Sequence, residues 1–101
     1  MKPVIILDEA IEDIEKGRIF YDKQAAGLGD YFAASILEDV ASLANLHGFH
    51  SRRHGYHWTL GTKFPYGIYY TPSEKGIEVH AILDQRSRPS TIQRKLKKRS
   101  V

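Results

Sequence analysis

An α+β domain is what this 101-residue sequence predicts, and three observations predict it. A short β-branched run opens the chain, two amphipathic helical patterns joined by a glycine linker follow, and every periodic segment after His54 alternates as a strand. The predicted order is β-α-α-β-β-β, a helical hairpin packed on a small, mainly antiparallel sheet. With 42% hydrophobic and 27% charged residues the chain has apolar material for one core and lies far from disordered compositions. A single domain over residues 1–101 is expected, with a basic C-terminal tail from about residue 90.

Each element has its own local reason. Residues 3–7 are apolar and β-branched, the pattern of a strand buried on both faces. Asp8 is placed as an N-cap, and Glu9 and Glu12 put negative charge in the first helical turns, where the helix dipole favours it. Ala10, Ile11, Ile14, Gly17 and Tyr21 form a helical stripe, so the first helix is expected over residues 8–23, its carboxylates forming a solvated face. Gly17 makes it a mediocre helix by propensity, and packing must hold it. Residues 25–29 interrupt the pattern and Asp30 restarts it. Phe32, Ile36, Val40 and Leu43 define the second helix, ending near His47 with Gly48 as its terminator.

The segment 49–54 reads as a polar, basic loop. Tyr56, Trp58 and Leu60 then alternate with His57 and Thr59, Gly61 and Thr62 turn the chain, and residues 64–71 form an aromatic strand with Pro65 at its start. Residues 73–76 make a hairpin turn. In the final strand Ile77, Val79, Ala81 and Leu83 are expected on one face, with Glu78, His80, Ile82 and Asp84 on the other. Pro89 ends it, and residues 90–98 read either as a short basic helix or as a mobile tail.

Charge is unevenly spread. Residues 1–45 hold four basic and nine acidic groups, net −5, whereas residues 46–101 hold eleven basic and three acidic groups, net +8. From Arg86 onward there are seven basic residues and no acid, which points to an anionic partner, either nucleic acid or an acidic protein surface. With no cysteine, disulfide frameworks, thiolate metal sites and cysteine nucleophiles are excluded. The apolar stretch 4–7 is too short for a signal peptide or a membrane span, so a soluble, cytoplasmic protein with no membrane partner is expected.

Few constellations carry chemistry. His50, His54 and His57 have superficially metal-like spacing, but they fall on a loop and a strand and no HExxH or cysteine accompanies them. No metal and no cofactor is expected. Gly27-Leu28-Gly29 lacks the lysine of a phosphate loop, and no serine sits in a nucleophile elbow. What remains is a basic and aromatic set: Arg52, Arg53, Lys63, Tyr66, His80, Arg86 and Arg88. A metal-free nuclease needs a base, a cation for the phosphorane charge and an acid, and His80, Tyr66 and Arg86 are the residue types for those roles.

These residues also carry a resemblance. Leu7-Asp8-Glu9-Ala10-Ile11-Glu12-Asp13-Ile14, Tyr21, Phe32, Phe64-Pro65-Tyr66-Gly67-Ile68-Tyr69-Tyr70 and Ile77-Glu78-Val79-His80-Ala81-Ile82-Leu83-Asp84-Gln85-Arg86-Ser87-Arg88-Pro89 follow one another in an order and spacing, over about residues 3–92, that resembles the RelE/ParE superfamily. The likeness is to the ParE or plasmid-stabilisation branch of these type II toxin-antitoxin toxins. It implies the fold above, growth arrest, and a cognate antitoxin that wraps and neutralises the chain. RelE-type members cut messenger RNA on the ribosome, whereas ParE-type members poison DNA gyrase. The ribosomal branch carries an arginine on the middle strand, where Tyr66 or Gly67 stands here, and an aromatic or imidazole group after the exit arginines. Here Ser87, Pro89, Ser90, Thr91 and Ile92 supply none.

The resemblance therefore favours a non-catalytic gyrase inhibitor with Arg86, Arg88, Lys63, Arg52 and Arg53 as target contacts. Its alternatives are a metal-independent, ribosome-dependent endoribonuclease using His80, Arg86 and Tyr66, and a degenerate antitoxin-binding module. A homodimer stays open.

Overall fold

The β-branched opening run forms β1 (Val4–Ile6), followed by α1 (Asp8–Gln24), α2 (Leu28–Leu46), β2 (Arg52–Arg53), β3 (Tyr56–Leu60), β4 (Tyr66–Ser73), β5 (Gly76–Asp84) and α3 (Pro89–Arg99). This computed structural model describes residues 2–46 and 50–99. The expected end of the second helix at His47 and Gly48 lies outside the described residues. The sheet order is β1-β5-β4-β3-β2, with β1 parallel to β5 and the other pairs antiparallel. The α1/α2 hairpin covers one face, over a core built from Phe32, Ile36, Val40, Leu43, Ile68, Tyr70, Ile77, Val79 and Ile82. On the other face α3 packs Ile92 and Leu96 against Tyr56, Tyr69, Ala81 and Leu83.

Several local expectations are corrected. The first strand is the sheet's edge and is only half-buried, because β5 is its one strand neighbour. Leu7, extended at φ −70 and ψ 157, precedes α1 without a side-chain cap, and Asp8 is already helical, where its charge still meets the dipole. Ile11 is 51% exposed, while Asp13, expected on the solvated face, is buried. Part of the predicted basic loop pairs with β3 as the two-residue β2, joined by His54 at φ 54 and Gly55 at φ 85. Positive φ at both positions is the two-residue hairpin turn that suits twisted strands. Of the two readings for residues 90–98, the helix is present.

The hairpin depends on close helix approach. A Cβ on Gly17 would fall 2.4 Å from Phe32 Cε2, and one on Gly29 would fall 2.2 Å from the Arg18 carbonyl oxygen. Asp22 Oδ1 accepts the Gly27 and Gly29 N–H groups at 3.0 and 3.3 Å, so α1 itself caps the start of α2. Tyr21, Phe32, Phe64 and Tyr66 interlock at the sheet end of the hairpin, with ring centroids 4.8 Å apart for both Tyr21–Phe64 and Phe32–Tyr66.

The alternation expected along β5 holds for only half of its length. Tyr69 pairs with Ala81 and Tyr70 with Val79, which leaves His80 as an extra residue. This bulge reverses the faces: Ile77 and Val79 join the hairpin core, whereas Ala81 and Leu83 lie under α3 and Ile82 returns to the hairpin side. Beyond Val79, whose carbonyl accepts the Leu7 N–H, β1 has ended. Asp13 takes over that edge, its Oδ2 accepting the Ile82 N–H at 2.9 Å. Arg99 donates to Asp13 Oδ1 at 2.9 Å and to the His80 carbonyl at 3.2 Å, so the end of α3 is fastened to α1 across the sheet edge.

Two outcomes follow from this packing. Gly17→Ala, which helix propensity favours by about 1 kcal/mol, is expected instead to destabilise by about 1–3 kcal/mol in urea unfolding, because the methyl group meets the Phe32 ring. Arg99→Met is expected to destabilise by about 3–5 kcal/mol, leaving Asp13 buried and unpaired, and combining it with Asp13→Leu is expected to cost less than the sum of the single changes.

Candidate functional site

The turn leaving β5 concentrates polar groups. Arg86 Nε and Nη2 donate to Asp84 Oδ1 and Oδ2 at 3.0 and 2.8 Å, and the Arg86 backbone N–H donates to Oδ1 at 2.9 Å. Nη2 also donates to the Tyr21 hydroxyl at 3.1 Å, which links the turn to α1. The guanidinium is thus held in one orientation while 56% of its side chain stays exposed. Burial raises the Asp84 carboxyl, but the Arg86 hydrogen bonds and charge outweigh it and hold the group below its ordinary range. Arg86 is raised in turn, chiefly by its hydrogen bond to Asp84.

Tyr66 lies buried beside this clamp. Its hydroxyl is pushed up to about 12, mainly by burial and then by the charges of Asp84 and Tyr21. It therefore stays protonated at neutral pH. Arg88 is exposed, and its carbonyl accepts the Thr91 and Ile92 N–H groups that begin α3. Arg53 stacks its guanidinium 3.7 Å from the centre of the Trp58 ring, and a cleft joins it to Gln85, Ser87 and Pro89 of the exit turn. Arg52 donates to the Gly55 carbonyl at 3.4 Å. Lys63 lies 5.2 Å from the centre of the Tyr31 ring on α2.

Position 67 is tightly enclosed by side chains. A Cβ there would meet Trp58 Nε1 at 2.4 Å and Gln85 Nε2 at 2.5 Å, and the neighbouring Tyr66 points into the hairpin core. An arginine at position 67 would have to displace the Trp58 and Gln85 side chains.

His80 stands elsewhere. The bulge turns it into a groove of about 560 Å³ lined also by Glu9, His54, Thr71, Glu78 and Arg99, where its Nε2 shares a 2.8 Å hydrogen bond with Thr71 Oγ1. Four residues of strand, about 13 Å, separate it from Asp84. The structure thus places Tyr66 and Arg86 at one end of β5 and His80 in a different groove. Burial lowers the His80 pKa, against the opposing charges of Glu78 and Glu9.

Two of the other described histidines, His50 and His57, share Tyr70. His50 Nδ1 shares a hydrogen bond with the Tyr70 hydroxyl, His57 stacks on the Tyr70 ring at 5.3 Å, and His54 forms the β2–β3 turn. Among the described residues no group of three histidine or carboxylate side chains is placed to hold a metal ion. Sequence reasoning missed Asp84 and Tyr21 as the partners that orient Arg86. The Asp84-x-Arg86 spacing at a strand exit was the available signal for the first, and the second had none.

No family model and no curated protein matches the chain. Its architecture is nevertheless similar to that of a solved chain described as "Chromosomal ParDE TA system from P. aeruginosa", with a TM-score of 0.75 at 16% identity, covering 83% of this chain and 96% of that one. The chain has a ParE-like α+β fold, as the resemblance implied.

A pH response follows from the partly buried imidazoles. His80 and His50 are both lowered by burial, so the unfolded chain binds protons more readily than the folded one below about pH 6.5. Their contribution to stability is full above that pH and is lost as pH falls towards the folded values. His80→Gln is expected to lose less melting temperature than the parent between pH 7 and pH 5.

Proposed function

We propose that this chain is the toxin of a type II toxin-antitoxin module, arresting growth by inhibiting DNA gyrase and silenced by a cognate antitoxin. The observation that carries this reading is the likeness of fold, over 83% of this chain and 96% of the other, to a chain of a ParDE toxin-antitoxin system. Two features of the site support a binding mode of action. Arg86 is oriented by Asp84 and Tyr21 yet exposed, and with Arg88, Arg53, Arg52 and Lys63 it offers cationic target contacts. His80, the one imidazole on β5, is displaced from Arg86 and Tyr66, which weighs against a ribonuclease built on those three.

The antitoxin's seat is the exposed apolar surface of the helical hairpin. Ile11, Ile19 and Phe20 on α1, with Tyr31 and Leu37 on α2, are large side chains between 43 and 51% exposed. Such apolar anchors are what a partner that folds on contact needs to offset its ordering entropy.

Inducing the chain alone in bacteria is expected to depress labelled thymidine uptake within minutes while leucine uptake continues. Arg86→Ala is expected to weaken the arrest at least tenfold by viable count, with its circular dichroism unchanged. An early fall in leucine uptake would overturn gyrase as the target and favour the ribosome.

A further inference from the structure

We propose that the outer face of α3 is a contact site for the phosphate backbone of double-helical nucleic acid. Ile92 and Leu96, one turn apart, are buried under the helix, and the Leu96 carbonyl accepts the Tyr56 hydroxyl at 3.1 Å. Arg99 is tied to Asp13. These three anchors leave the helix one orientation, and in that orientation Arg94, Lys95 and Lys98 all point to solvent. Arg94 and Lys98 lie about 6 Å apart along the axis, opposite the buried stripe. Lys95 turns towards α1, where it shares a groove with Lys16. Arg88 adds an exposed cation just before the helix. Among the described residues none of Arg88, Arg94, Lys95 and Lys98 forms an ion pair.

The make-up of the face selects the partner. An acidic protein segment needs apolar or aromatic anchors at the centre of its seat, and α3 exposes none: among the described residues every large exposed hydrophobic residue lies on α1, α2 or β3. A single strand needs aromatic platforms for stacking, and α3 has no aromatic residue. Lysine and arginine with the polar side chains Ser90 and Gln93 are the groups that hold duplex phosphates without reading bases. DNA and A-form RNA share that chemistry and differ in groove geometry.

The test is fluorescence anisotropy of the purified chain with a labelled 20-base-pair DNA duplex, an RNA duplex of the same sequence, the corresponding single strand, and a polyglutamate peptide. Duplex binding that weakens steeply with salt, by about 0.9 in log–log slope per phosphate contacted, is expected. In Arg94→Gln/Lys95→Gln/Lys98→Gln the slope should fall by about 3 and affinity at 50 mM salt at least tenfold. Lys75→Gln, on the β4–β5 turn, should bind as the parent does. Circular dichroism of the triple variant confirms that these exposed changes leave the fold intact. Preference for the DNA or the RNA duplex identifies the source of the backbone. The proposal is overturned if neither duplex binds at 50 mM salt, if the triple variant binds like the parent, or if polyglutamate or the single strand binds more tightly than both duplexes.

Discussion

The ion pair between Asp13 and Arg99 carries more of this structure than its size suggests. It lies where β1 has run out, and it satisfies the Ile82 N–H and the His80 carbonyl that would otherwise face outward from β5. The same contact joins α1 on one face of the sheet to α3 on the other. A helix of eleven residues is marginal alone, and α3 buries two large side chains, worth roughly 1.5–3 kcal/mol each. That burial is of the same order as the backbone entropy, about 1–2 kcal/mol per residue, of ordering only a few positions. Polar anchoring therefore decides where α3 lies, even though a buried pair is seldom a large net source of stability.

The bulge at His80 is the geometric partner of that ion pair. One extra residue in β5 turns the strand's outward backbone groups towards Asp13 and hands Ala81 and Leu83 to the α3 side. It also separates the chemistry of the strand into two ends. His80, half-buried with Thr71, Glu78 and Glu9 nearby, belongs to a groove at the foot of α3, while Asp84, Arg86 and Tyr66 gather at the exit. A regular strand would have placed His80 on the same face as Ile82 and Asp84.

Two surfaces of different character result. Close approach at Gly17 and Gly29 presses the hairpin helices together so that the interlocked rings of Tyr21, Phe32, Phe64 and Tyr66 fill their junction with the sheet. Ile11, Ile19 and Phe20 of α1 are exposed at different angles around the helix, whereas the outward side of α3 is cationic. Between them the exit turn presents Arg86 in an orientation set by groups on two elements. The two kinds of surface meet at one groove, where exposed Phe20 of α1 lies with Lys16 and Lys95.

The hairpin and the three long strands were legible in the sequence, because amphipathic spacing is a local property: Phe32, Ile36, Val40 and Leu43 mark one helical face whatever lies opposite. The two-residue turn at Ser73 to Gly76 was equally readable from its residues. Of the site, the sequence supplied the cations and the aromatic residues but not their grouping. Tertiary structure alone decided that Asp13 is buried while Ile11 is exposed, that His80 is a bulge, and that Arg86 leans on Tyr21. Those outcomes depend on contacts between residues 65 and 86 positions apart, and no local periodicity encodes which distant segment will meet a given side chain.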